Sequence, residues 1–478
     1  MSHATAILPP ATAWLLVAGF SVLWIVLGFY WGRRVSSLSG FVLAGRNVGL
    51  ALGSATAVAT WVTSNTVMLA PQFALQMGVW GMLAYSTAAF GLFLFAPMAR
   101  RIRQLMPMGF TSAEFFRLRF GRPAWYVFLA ISLFYAFTWM ISMGIAGGLI
   151  LEALSGIPYL WGMSIIILVC TVYTLFGGLK AVIGTDFIQS LIILIGVVVV
   201  AVAALRQVSL HQVYTTVHHN RPALLGALLP VALMSVFNNL LFGLGEIFHS
   251  NVWWSRALSM REGVGSKAYA LAGLIWLPLP IVAGFMALAA PALDINVPQV
   301  NMVGPIVAGA LLGETGAVLL FVVVFASIAS SVDSLLAATA DLISHDIIGG
   351  MIRPKATSAE LRRASSWAIA ALGLLTWLVC STEDQDLGTI LFRAGPLVGS
   401  AIWPVIAGLY WKRTNPNGVV WAMALGTAAG LVAYYTIGWY SAALVGTAVS
   451  MVVVVVTTKL APREFSWSLL AAAREDRA

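Results

Sequence analysis

The chain has 478 residues, of which 60% are hydrophobic and only 9% charged; its mean hydropathy is +0.93, whereas about a quarter of the residues in a soluble domain carry charge. That composition excludes a soluble domain and defines an all-α polytopic membrane protein. The formal charge of +9 points to a nucleic-acid partner only until its residues are placed on the chain.

Apolar runs of about 20 residues mark the spans. In chain order these are 12–31, 47–70, 77–99, 124–151, 158–176, 184–205, 227–249, 268–290, 304–344, 366–381, 388–411, 416–437 and 439–458, which makes about 13 transmembrane helices. The 304–344 run is too long for one span, so a re-entrant or external element is expected before a membrane helix at 315–344. The first 31 residues lack a charged leader and a cleavage site, so 12–31 is expected to be retained. Residues 1–478 are expected to form a single transmembrane transporter domain.

With the N-terminus outside and the C-terminus cytoplasmic, 23 of the 26 basic residues fall on one side, Arg256 among them. Arg206 and Arg221 lie opposite, Arg393 falls within a span, and the external loop "CSTEDQD" is acidic. This asymmetry is the positive-inside pattern, so the basic residues record topology and no nucleic-acid partner is expected. Cys170 and Cys380 match no metal or redox spacing and read as apolar filler. The six histidines offer no nucleophile–base constellation; four of them, His211, His218, His219 and His249, are assigned to the external loop or its vicinity. An enzyme is not expected.

"FASIASSVDSLLAATADLISHD", residues 325–346, places polar groups where they are costly. At 100° per residue Ser327, Ser330, Ser331, Ser334 and Asp341 share one face, with Asp333 beside it. A lone serine there would bond back to its own helix, but a stripe of hydroxyls and carbonyls without histidine or cysteine suits a hard cation such as Na+. Asp186 lies just inside the span at 184–205, where it either meets the helix macrodipole or serves an ion. "ATWVTSNTVMLAPQ", 59–72, carries Thr60, Thr63, Ser64, Asn65 and Thr66 ahead of Pro71 and reads as a broken helix whose freed carbonyls line a cavity. A second interruption is read in "FNNLLFGLGEIFHSNVWWSRA", where two glycines precede Glu246 and His249. Glu246 is placed to contact a solute, to bind a proton or to pair with Arg393. By position, Thr63, Ser64 and Asn65 at the first break and Phe242, Glu246 and Trp253 around the second are expected to contact the solute.

The order of "FVLAGRNVG", "GGLKAVIGTDFIQ", "ASSVDSLLAATADLISHDI" and "AGPLVGSAIWPVIAGLYWKR" resembles the sodium:solute symporter family, over most of the chain. "GEIFHSNVWWSRA", the 342–357 ending and Trp61 look closest to its urea-active-transporter branch, although Glu246 stands where a small or neutral residue is expected. The resemblance implies a LeuT-like fold of inverted five-helix repeats at 47–205 and 227–411, one extra N-terminal helix and two C-terminal helices at 416–458. It implies a Na+ site at the carbonyls of Ala59, Val62 and Ser327 and the hydroxyls of Ser330 and Ser331, with a further cation site at Asp186, Asp333 and Ser334.

The function expected is secondary active transport: Na+-coupled symport of a small polar organic solute, urea-like, an amino acid or another small metabolite, across a bacterial-type plasma membrane. Proton coupling through Asp186 or Glu246 is the rival within transport. A membrane nutrient sensor is the rival from another class, disfavoured because the chain ends shortly after its last span.

Overall fold

The computed structural model describes residues 8–226, 230–297, 303–382 and 393–472, apart from a few side chains such as that of Ser64. Among them no strand forms; a single bridge joins Val48 to Met260. A helix satisfies its own backbone polar groups without water, as a lipid-exposed span must.

The helices used below are α1 Pro10–Gly32, α2 Leu50–Trp61, α3 Ser64–Ser86, α4 Ala89–Leu105, α5 Ser112–Phe120, α6 Arg122–Ser155, α7 Tyr159–Gly177, α8 Leu179–Gln207, α9 Leu210–Asn220, α10 Pro230–His249, α11 Asn251–Ser259, α12 Val264–Trp276, α13 Pro278–Ala289, α14 Val303–Asp341, α15 Ser358–Cys380, α16 Gly395–Tyr410, α17 Pro416–Thr436 and α18 Trp439–Leu460. Among the described residues ten stretches are long and apolar enough to cross a membrane, and Leu50–Trp61 and Gly395–Tyr410 are shorter apolar helices. The tally differs from thirteen because breaks divide some spans and others run into residues outside those described.

Two features position the interior. The expected break after α2 is present: Val62 leaves the helix at φ −84°, ψ 92° and Thr63 starts α3 with extended backbone. Pro71, by contrast, is accommodated inside α3, and the chain reverses at Gly78, whose φ of +64° and contact with the Leu224 carbonyl leave no room for a Cβ. The expected element ahead of the serine helix is also present, because α14 kinks at Gly313 before its long inner segment. That segment continues past Asp341 as a π-helical stretch, Leu342–Ile352, several residues beyond the expected end.

The second interruption falls elsewhere than the glycines suggest. Gly243 and Gly245 stay helical, and the break comes at Ser250, between α10 and α11. Gly245 instead permits close packing: a Cβ there would lie 2.4 Å from the Val398 carbonyl of α16.

Burial runs from the rim inward. In the most apolar part of α1, 22% of residues are buried, against 78% in the most apolar part of the 306–352 stretch, and Ser327, Ser330, Ser331 and Ser334 are all buried. The serine helix is thus central, and its polar side chains must find partners within the protein.

Candidate ion and solute site

At the C-terminal end of α2 the last backbone bond runs from Val62 N–H to the Val58 carbonyl at 2.9 Å. The carbonyls of Ala59, Thr60 and Trp61 lose their helical partners at the break, and a helix end buried in apolar surroundings must satisfy them in some other way. Four side chains do so, the weakest being Thr66 Oγ1, 3.5 Å from Trp61 O. Ser330 Oγ donates to Ala59 O at 2.7 Å, Ser331 Oγ to Thr60 O at 3.3 Å, and Trp276 Nε1 to Trp61 O at 2.8 Å. Ser330 and Ser331 also reach the Ser327 carbonyl, at 3.1 and 3.0 Å. The broken helix and the serine helix, far apart in sequence, therefore meet in one buried cluster of neutral oxygens from Ala59, Thr60, Ser327, Ser330 and Ser331. Ser327 Oγ itself bonds back to Val323 O at 2.8 Å.

Directly beside this cluster lies a group the sequence reading misplaced. Arg256, counted there among the loop cations, is 0% exposed and reaches from α11 into the bundle. Its Nη2 donates to Ser334 Oγ at 2.6 Å, Thr60 Oγ1 at 2.8 Å and Asp186 Oδ2 at 3.2 Å. Its Nε donates to Thr56 Oγ1 at 3.0 Å and its Nη1 to Val252 O at 3.0 Å. Thr56 Oγ1 in turn donates to Asp186 Oδ2 at 2.5 Å. Asp186 sits roughly two turns into α8, too far in for the macrodipole to be its partner; it forms a fully buried ion pair with Arg256. Asp333 accepts from Tyr173 Oη at 2.6 Å and from Ser334 Oγ at 3.2 Å. The signal for Arg256 was available: "VWWSRA" places an arginine in an apolar segment, and Asp186 needed a counter-charge.

Glu246 is also buried, and Trp253 Nε1 donates to both of its carboxylate oxygens, at 2.9 and 3.0 Å. Arg393 is exposed, so the pair considered between the two does not form. Glu246 and Trp253 line a small cavity together with Thr63 and Ser331. An adjoining cavity is walled by Trp61, Tyr85, Trp139, Phe242 and Trp276, with Thr63 and Asn239 as polar points. Trp61 packs edge-on to Trp253, their ring centres 5.3 Å apart, and its Nε1 is buried without a hydrogen-bond partner among the described residues. Of the expected solute contacts, Thr63, Phe242, Glu246 and Trp253 line these cavities. Asn65 is fully buried and turns to Ser142 at 3.4 Å, and the side chain of Ser64 lies outside the described residues. Tyr85, Trp139 and Trp276 were missed, because aromatic residues in an apolar helix carry no periodic signal that separates a cavity wall from packing; Asn239 was passed over although an amide in an apolar run was a readable signal.

His249, assigned by sequence to the external loop or its vicinity, is buried at the end of α10, its Nδ1 2.7 Å from the Gly245 carbonyl. Both cysteines are buried and free. At the basic end of the bundle, α5 is tied to the π-helical stretch: Glu114 meets His345 at 3.4 Å, while Thr111 and Trp125 donate to Asp346 at 2.7 and 3.0 Å. Burial alone would push the Glu114 carboxyl up, but His345, the Phe110 N–H and Arg117 outweigh it and hold it at about 2.

An α-helical bundle with a broken helix meeting a serine helix beside an aromatic cavity is the architecture of a LeuT-like transporter. The profile of the sodium:solute symporter family matches residues 41–426, and the chain belongs to that family. It is 27% identical to a rice protein named urea-proton symporter DUR3, over 90% of this chain and 66% of that one. It is 28% identical to the urea active transporter of Saccharomyces cerevisiae, over 87% and 61%, and 25% identical to the osmoregulated proline transporter OpuE of Bacillus subtilis, over 85% and 86%. The chain thus spans less than two thirds of the length of the two urea transporters. Among solved structures, a substrate-bound, outward-open Na+-coupled sialic acid symporter superposes with a TM-score of 0.80 at 16% identity, covering 95% of this chain and 99% of that one. The nucleobase-cation-symport transporter Mhp1, closed around a hydantoin, gives 0.60 at 16%, covering 91% and 98%. The fold is therefore LeuT-like, the protein is multi-pass in the membrane, and its family is one of solute symporters rather than enzymes.

Proposed function

We propose that the chain couples inward Na+ movement to uptake of a small polar organic solute of the urea or amide kind, across a bacterial-type plasma membrane with the N-terminus outside. The observation that carries this reading is the five-oxygen cluster at the first break. Neutral carbonyls and hydroxyls suit a weakly held monovalent ion, which must bind on one side and leave on the other. Rotating the Ser330 and Ser331 hydroxyls would turn their lone pairs toward the ion and free the Ala59 and Thr60 carbonyls to join them. The ion then takes over the cap on α2 that the serine protons supply in its absence. The Val62 carbonyl, on the same unwound segment, is our proposed further partner alongside them.

The solute reading rests on the adjoining cavity, where flat indole walls and a few polar atoms suit a planar amide. Trp61 Nε1 is a free donor for a carbonyl oxygen, and Asn239 and Thr63 are at hand for its N–H groups. Inward movement of one positive charge at 100 mV contributes about 2.3 kcal/mol, enough for nearly fifty-fold accumulation of a neutral solute.

Proteoliposomes with imposed gradients test this. Uptake of urea or a small amide driven by inward Na+ at constant pH, with a higher half-saturating Na+ in Ser330→Ala and Ser331→Ala, is the expected result. One observation favours a second reading, proton coupling: Glu246 is a buried carboxylate at the cavity wall, and the rice relative's name couples urea to protons. Uptake in sodium-free buffer under an acid-outside gradient, abolished in Glu246→Gln, would establish that reading instead.

A further inference from the structure

We propose that Arg256 is a resident cation, standing where a second transported ion would otherwise bind, so that the protein carries one coupling ion per cycle. The residues assembled around its guanidinium are the oxygen set of a cation site: the carboxylate of Asp186 and the hydroxyls of Thr56, Thr60 and Ser334, with Asp333 hydrogen-bonded to Ser334. They come from three elements, α2, α8 and α14, and all are buried. The guanidinium enters from a fourth, α11, and lies 2.6–3.2 Å from four of those oxygens, taking up the contacts that a bound ion would make with them.

A side chain in such a site differs from an ion in one decisive way: it cannot dissociate. A mobile cation would give up its contacts on entering either compartment and would contribute to coupling, whereas Arg256 keeps its charge inside the protein throughout. Arginine remains protonated at any physiological pH, so the compensation of Asp186 is permanent. A second ion admitted beside it would meet a like charge at close range in a poorly screened interior. Asp186 Oδ1, buried and without a partner among the described residues, shows that the cluster still has an oxygen to offer. Removing the guanidinium therefore vacates a site whose ligands are already in place.

The inference rests on the symport reading but is tested apart from it, with the full chain purified and reconstituted. For the wild type, the charge moved per solute, net of any charge on the solute, is expected to be one whichever ion couples, and uptake should rise with that ion with a Hill coefficient near 1. In solute-free detergent, Arg256→Gln is expected to gain a larger thermal stabilisation by NaCl, relative to choline chloride, than the wild type gains at the same concentration. Asp186→Asn combined with Arg256→Gln should abolish that excess, and Arg256→Lys, which keeps a tethered cation, should not acquire it. Two charges per solute in the wild type overturn the inference and leave Na+ coupling standing. An Arg256→Gln protein that folds but gains no more from Na+ than the wild type also overturns it. If the wild type ignores Na+ while Arg256→Gln gains an Asp186-dependent response to it, the coupling reading fails and the role of Arg256 stands. Should Arg256→Gln not fold, the charge count decides.

Discussion

The two helix breaks solve the same problem by different means. At Ser250 the repairs are local: Ser250 Oγ accepts from Val252 N–H at 3.4 Å, Trp254 Nε1 donates to Phe248 O at 2.6 Å, and His249 bonds within its own turn. At Val62 the start of α3 is also capped locally, Thr66 Oγ1 accepting from Thr63 N–H at 3.3 Å and reaching Trp61 O at 3.5 Å. The carbonyls of Ala59 and Thr60, however, are satisfied from afar, by Ser330 and Ser331, and Trp61 O also by Trp276. A local cap moves with its helix, so the second break is a rigid elbow. A cap borrowed from another helix is lost when the two helices part, so the first break is stable only while α2, α12 and α14 are together or while something else satisfies its carbonyls. This contrast makes the first break the natural seat for an ion.

The hardest blow to the contact between the two breaks is Asp186→Ala, which leaves Arg256 buried and unpaired. A loss of about 3–5 kcal/mol is expected, read as a fall in the thermal unfolding midpoint in detergent. Trp276→Phe keeps most of the ring packing but removes the shorter of the two hydrogen bonds to Trp61 O, leaving only Thr66 Oγ1 at 3.5 Å. It should cost about 1–3 kcal/mol, and chemical denaturation would measure it. Ser330→Ala and Ser331→Ala should each raise the Na+ needed for half-maximal uptake about tenfold, which corresponds to about 1.4 kcal/mol, with abundance in the membrane unchanged. Ser250→Ala sharpens the comparison from the other side. Loss of a local N-cap should cost about 1 kcal/mol of stability and leave the Na+ dependence of uptake where it was.

The smallest effect lies away from both breaks, at Glu114. Its carboxyl is held at about 2, below the ordinary value of 4.5. The stabilisation it gives is complete above the ordinary value, weakens as pH falls below it and is gone near 2. Wild-type protein should therefore lose more of its unfolding midpoint between pH 6 and pH 3.5 than Glu114→Gln does; equal losses would remove this assignment.

Much of the interior was legible from polar residues in apolar runs. Ser327, Ser330, Ser331 and Ser334 share a helical face at any register, and Thr60 through Thr66 interrupt a span that has no other reason to be polar. The break at Ser250 was misplaced because Gly243 and Gly245 signal close packing as readily as a kink, and which one applies depends on α16, distant in sequence. Arg256 was misread because the charge-asymmetry rule treats every arginine near a span end as a loop residue, although an intramembrane aspartate predicts a buried partner. The aromatic cavity was invisible for a different reason: Tyr85, Trp139 and Trp276 take on that role only when three separate helices converge.

Ser331 stands at the seam between the two compartments of the interior, bonded to the Thr60 carbonyl on one side and lining the Glu246 cavity on the other. Under the proposed function, any shift of its hydroxyl is felt by both occupants. Thermodynamic reciprocity then fixes the outcome: whatever factor the solute adds to the grip on the cation, the cation must add to the grip on the solute. A transporter wired through one hydroxyl in this way leaks little, because neither passenger settles well without the other.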